Sequence, residues 1–149
     1  MGNWFVMTVW RVWRPPPIDE QVAAWTIEEP PRLQALRAAL VQAVSERDDL
    51  EAVDVDDLAE RLVIVATELA GNALRYSRPP TVVALLRADG HLVLDVVDNE
   101  PRTAPVVEHR TPGAGGLGLQ LTEQLADQVG WYATEAAKHV WATFSITAA

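Results

Sequence analysis

The sequence predicts an α/β (α+β) two-layer sandwich, a mixed β-sheet with about three helices on one face. Three observations carry that expectation. Apolar residues recur at helical spacing in three stretches, while shorter segments alternate as half-buried strands do. The elements come in the order strand-helix-helix-strand-strand-helix-strand-strand. At 149 residues with 49% hydrophobic content, the chain suffices for one packed core.

The chain opens with MGNWFVMTVWRVWRPPP, in which Trp4, Trp10 and Trp13 crowd together, with Trp25 shortly after. Its arginines follow the apolar stretch, the reverse of a signal peptide. Met1-Gly2 fits the start of a myristoylation motif, but Val6 stands where Ser or Thr is expected. A membrane-surface arm, a partner-binding arm, an added edge strand and a partly ordered tail are the readings open for this segment. Pro15, Pro16 and Pro17 mark its end, so the expected organisation is an arm over residues 1–17 and a domain over 18–149.

A short strand is expected around Val22 to Ile27. Pro30 and Pro31 stand where a helix can begin, and Leu33, Leu36, Leu40 and Val44 form its apolar stripe to about Glu46. An acidic loop with Asp48, Asp49, Glu51 and Asp54 leads to a second helix. Asp57 and Glu60 make a capping box there, and Leu58, Leu62, Val65, Leu69 and Tyr76 make its core stripe. Ser77-Arg78-Pro79-Pro80 ends it. Strands Thr81–Arg87 and His91–Asp98 follow, joined by Ala88-Asp89-Gly90, a hairpin signal. The loop from Asn99 to Gly116 reads as a mobile lid. A third helix is expected from about Leu117 to Val129, stopped by Gly130, before strands near Trp131–Thr134 and His139–Ile146.

Charge excludes some functions. With 21 Asp+Glu against 12 Lys+Arg, the net charge is −9, the wrong sign for nucleic acid. No apolar run reaches the ~18 residues of a membrane span. The absence of cysteine excludes disulfides and thiolate metal sites and suits a cytoplasmic location.

Three patterns carry chemistry. Glu68 and Asn72 are four residues apart and share one helix face, with Arg75 a turn further. A carboxylate and an amide so placed can hold hydrated Mg²⁺, which prefers a few oxygen ligands completed by water and phosphate. Such a pair also occurs on a plain solvated helix edge. Gly71 between them, costly in a helix by about 1 kcal/mol, points to close packing at that spot. Asp98 ends a strand whose Leu92, Leu94 and Val96 face the same way, so its carboxylate needs a donor. The amino group of adenine is one such donor, and the following turn is the other reading. Gly113-Ala114-Gly115-Gly116-Leu117-Gly118-Leu119 opens the third helix, where backbone N–H groups suit an anion. It is not a Walker loop, which needs Gly-Lys-Ser/Thr.

In this order the patterns resemble the N, G1 and G2 boxes of the ATPase superfamily shared by gyrase, histidine kinases and mismatch-repair ATPases. The N box matches at Glu68, Asn72 and Ala73, the G1 box at Asp98, and the G2 box at Gly116, Gly118, Leu119 and Leu121. Lys138-His139-Val140-Trp141 resembles the closing hairpin of the small stand-alone members, the anti-sigma-factor serine kinases. The resemblance spans about Val22 to Ile146 and implies a histidine kinase-like (Bergerat) fold with ATP and Mg²⁺ as cofactors. It implies that Asn72 binds the metal, Glu68 is the general base and Asp98 contacts adenine. Gly116, Leu117, Gly118 and Leu119 then lie along the nucleotide phosphates. Arg75 and Arg110 are further candidates for phosphate contacts, and Lys138 a weaker one. One departure stands out: Glu100 occupies the place of the usual G1 glycine.

The function this implies is an anti-sigma-factor serine/threonine protein kinase. It phosphorylates a small antagonist protein and sequesters a sigma factor, with a homodimer built on the first strand and helix. The alternative is a non-catalytic nucleotide-dependent switch. A sensor histidine kinase is disfavoured because His91, His109 and His139 all follow the N box, and they show no metal spacing.

Overall fold

The computed structural model describes residues 6–50, 52–102, 105–109 and 118–147. Along the chain run β1 (Val6–Val9), β2 (Ile18–Ile27), α1 (Arg32–Ser45), α2 (Val55–Tyr76) and β3 (Thr81–Ala88). β4 (His91–Asp98), β5 (Val106–His109), α3 (Gly118–Leu125), β6 (Gln128–Ala133) and β7 (Lys138–Ser145) follow. The main sheet has the order β2-β3-β4-β7-β6. Each of its ladders is antiparallel, and the parallel contact comes from Val12, which bridges Trp131 beside the β6 edge.

Alternation along the strands builds the two faces of the sheet. Leu92, Leu94 and Val96 of β4 join Val140, Ala142 and Phe144 of β7 in a core closed by Leu36 and Leu40 of α1 and Leu58, Leu62, Val65 and Leu69 of α2. The intervening Val93 points to the back face, where it packs with Ala88 and Trp141. Burial of these side chains, each worth about 1.5–3 kcal/mol, makes the register costly to shift. Gly90, with φ of 71°, permits the two-residue turn between β3 and β4 that sets Ala88 opposite His91.

Several boundaries differ from the sequence expectation. β2 starts at Ile18, not Val22, because it pairs with β3 as far as Ala88, through register shifts between Ile18 and Glu20 and between Gln21 and Ala23. Those irregularities and the exposed Asp19, Glu20 and Gln21 hide the alternation. The N-cap of α2 is Asp54, whose carboxylate accepts from the Asp57 N–H at 3.1 Å. Asp57 therefore lies inside the first turn, where it accepts from Arg61 at 2.9 Å instead of capping. Tyr76 leaves the core stripe and is 67% exposed. Part of the expected lid forms β5. α3 stops at Leu125, and Gly130 lies within β6 rather than ending a helix. There the Asp127 N–H donates to Thr143 O, drawing the chain into the sheet early.

From Trp10 to Arg14 the tryptophan-rich arm is packed against the domain. β1 pairs antiparallel with β5, setting Val6 opposite His109 and Val9 opposite Val106. Trp10 is buried; its Nε1 donates to Glu123 of α3 at 2.8 Å, and its carbonyl accepts from Trp131 Nε1 at 2.9 Å. Trp13 Nε1 donates to Val129 O, and Trp141 Nε1 donates to Trp13 O, both at 2.8 Å. Indole suits this work, with a large apolar face for the sheet and one N–H for a backbone carbonyl. Arg11 and Arg14 lie over the Trp13 and Tyr132 rings at 4.3 and 4.2 Å. The arm thus covers the back face near the β6 edge.

Candidate functional site

α2 is flanked on both edges. At one edge Gly71 faces Leu33 of α1. At the other, Arg61 donates to Leu125 O of α3 at 3.3 Å and lies over the Phe144 ring. Helical periodicity puts Glu68 and Asn72 on the Arg61 side, the edge toward α3. Both side chains are half-buried, and among the described residues neither has a hydrogen-bond or ion-pair partner. A carboxylate and an amide in partial shelter without partners are costly unless something binds them. Gly71 itself is not needed for close packing, because a Cβ there would sit 3.9 Å from Leu33 Cδ1, an ordinary contact.

Asp98 ends β4 on the core face with 4% exposure, as the alternation requires. One carboxylate oxygen accepts from the Glu100 N–H at 2.8 Å, so the aspartate does cap its turn. The other lies 3.4 Å from Lys138 Nζ, also buried, across the β4–β7 ladder. Asn99 ties the same turn to the end of α2 through Arg78 O and Pro80 O at 3.0 and 3.1 Å. α2 packs on β3, β4 and α3, of which β4 and α3 carry other candidate residues.

The remaining sequence candidates divide. Gly118 is the first residue of α3, and Leu119 is buried in the core, leaving only its backbone for a ligand. Gly116, Leu117 and Arg110 lie outside the described residues. Arg75 is exposed, its guanidinium 5.8 Å from the Tyr76 ring centroid. Gln120 escaped the sequence reading: its side-chain oxygen is buried and without a partner in the first turn of α3. Lys138 was legible only as a phosphate contact, although the strand end at Asp98 and the strand start near Lys138 hinted at their pairing. Two of the histidines have partners close by. His139 Nδ1 meets Asp95 at 2.9 Å and its ring stacks on Tyr132 at 4.5 Å on the back face, while His91 Nδ1 lies 2.9 Å from Asp89 O. Burial first, and Asp95 second, push the Tyr132 hydroxyl upward in pKa.

The chain matches the model of the histidine kinase-like ATPase domain over residues 28–144, and it belongs to that family. A solved structure of the RsbU and RsbW domains of Rv1364c from Mycobacterium tuberculosis is similar in fold, with a TM-score of 0.57 at 19% identity. The likeness covers 83% of this chain and 32% of that one, so this chain spans about a third of that structure's length. No curated protein matches. The family is that of an ATPase domain, and ATP is the ligand it implies. No helix among the described residues is long and apolar enough to cross a membrane.

The donor chemistry suits Mg²⁺ at Asn72, whose side-chain amide offers a hard oxygen, and leaves the Glu68 carboxylate beside it for a proton. Among the described residues no three His, Cys, Asp or Glu side chains group to hold a metal by themselves. An ion here would take its remaining ligands from water and phosphate oxygens.

Proposed function

We propose that the chain is an Mg-ATP-dependent serine/threonine protein kinase of the anti-sigma-factor type, acting on a small antagonist protein. The observation that carries the reading is the half-buried, unpartnered Glu68–Asn72 pair on the α3 edge of α2. Asn72 would hold Mg²⁺, whose role is to neutralise charge on the transferred phosphoryl group. Glu68 would accept the proton of the attacking serine hydroxyl, which needs a carboxylate not already engaged by a cation. Asp98 would fix the adenine, and Arg75 and the backbone near Gly116, Leu117, Gly118 and Leu119 would line the phosphates. The N-terminus of α3 supports this, since helix N-termini favour anions. The sigma factor and the antagonist are the partners of this reading, in a cytoplasmic, homodimeric protein whose acidic charge suits a basic docking patch.

The test is titration of Mg-ATP by calorimetry into the wild type, Asn72→Ala and Asp98→Ala. Binding by the wild type that weakens at least about tenfold in each variant, roughly 1.4 kcal/mol, is the expected result. No binding by the wild type sinks the reading.

One observation favours a second reading, a nucleotide-dependent switch without catalysis. Glu100 stands at the G1 glycine position, and its N–H occupies one Asp98 oxygen. Glu68→Gln separates the two. A kinase loses phosphotransfer by a factor of about 10²–10⁴ while keeping ATP affinity. A switch shows no transfer in either form.

A further inference from the structure

The buried Asp98–Lys138 pair is not explained by stability. Lys138 and Asp98 face each other directly across the β4–β7 ladder, with 9% and 4% side-chain exposure. Lysine and aspartate are buried this deeply only when paired, and the attraction of such a pair does little more than offset its desolvation. An apolar cross-strand pair would close this sheet end at least as well. The pair does supply something an apolar one lacks: a hydrogen-bond acceptor and a donor side by side, 3.4 Å apart. Purine edges present such complementary groups on adjacent atoms. In adenine the 6-amino donor neighbours the N1 acceptor.

We propose that Lys138 is a specificity-determining residue that reads the adenine N1 while Asp98 takes the 6-amino group. This rests on the nucleotide-site reading above and adds a named contact to it. The ammonium has three donor hydrogens, so one can reach N1 while the others hold its present partners, Asp98 among them. Asp98 Oδ2, the oxygen beside Lys138, accepts from the amino group, and Oδ1 stays with the Glu100 N–H. Guanine in the same pose sets its O6 against the carboxylate and its N1–H against the ammonium. Both contacts then have the wrong sign, and the site selects ATP over GTP by polarity rather than by size.

The experiment compares ATP, 1-deaza-ATP, which lacks only the N1 acceptor, and GTP by calorimetry with Mg²⁺ present. Wild type is expected to bind 1-deaza-ATP about tenfold more weakly than ATP, and GTP at least about a hundredfold more weakly. Lys138→Met should lower ATP affinity to the level of 1-deaza-ATP and leave 1-deaza-ATP itself unchanged. Equal binding of ATP and 1-deaza-ATP by the wild type overturns the assignment, and that arm needs no variant to fold. An equal loss of both nucleotides in Lys138→Met reduces the lysine to support of Asp98, and a gain in ATP affinity makes it a plug. Either result overturns the assignment while the nucleotide site stands. A wild type that binds no nucleotide removes the site reading and the assignment together.

Discussion

At the residue scale, two glycines have opposite roles. Gly130 lies under the Trp13 ring, and a Cβ there would collide with that ring and stand 2.7 Å from Trp141 Cζ2. Gly130→Ala is expected to lower stability by about 1–3 kcal/mol, read by denaturant unfolding, because two packed indoles must shift. Gly71→Ala should do the reverse. Its Cβ meets only Leu33 at 3.9 Å, and alanine removes a helix penalty of up to about 1 kcal/mol. A large loss at Gly71 would mean that the α1–α2 contact is tighter than this geometry. The sequence marks Gly71 as a mid-helix glycine and Gly130 as a helix stop. Which one bears a load depends on what stands above it, and Trp13 is more than a hundred residues from Gly130 in the chain.

At the element scale, the loop between α1 and α2 is held by charge. Asp49 accepts from Arg47 at 2.7 Å and from Arg87 of β3 at 2.9 Å, and the same arginines reach Glu20 and Asp19 of β2, each at 3.0 Å. The Arg47 hydrogen bond, followed by that of Arg87, brings the Asp49 carboxyl down to about 2 against the opposing effect of burial, and the Arg47 guanidinium is pushed up in turn. A depressed folded-state value stabilises the fold above the unfolded carboxylate's pKa, about 3.9. That stabilisation fades as pH falls toward 2. Acid titration of wild type against Asp49→Asn should therefore show the wild-type advantage shrinking between about pH 4 and 2. A constant difference across that window would refute the network. The sequence showed an acidic loop here and nothing of its arginines, because all the partners except Arg47 come from other elements.

At the scale of the whole molecule, the arm and the sheet complete each other. Trp10 enters the main core, and Trp13 closes the back-face cluster of Ala88, Val93 and Trp141. Removal of residues 1–14 should lower the thermal midpoint by several degrees and expose this face to the dye ANS. An unchanged midpoint without dye binding would show the arm to be dispensable. The sequence reading placed a break at the three prolines. Composition alone, however, cannot show that residues before a break pack on residues after it.

The sequence by itself determined the layer architecture, the helices and strands with strong periodicity, and the family. Those features rest on local spacing: 3.6-residue stripes in α1 and α2, two-residue alternation in β3 and β4, and the Asp89-Gly90 turn. That Glu68 and Asn72 share one helix face was legible for the same reason, since residues four apart on a helix lie together. Tertiary structure alone decided the Asp98–Lys138 pair, the seat of Trp13 over Gly130, and the β1–β5 pairing. Each joins groups 40 or more residues apart, and each depends on burial and strand register, which no local pattern of one chain encodes.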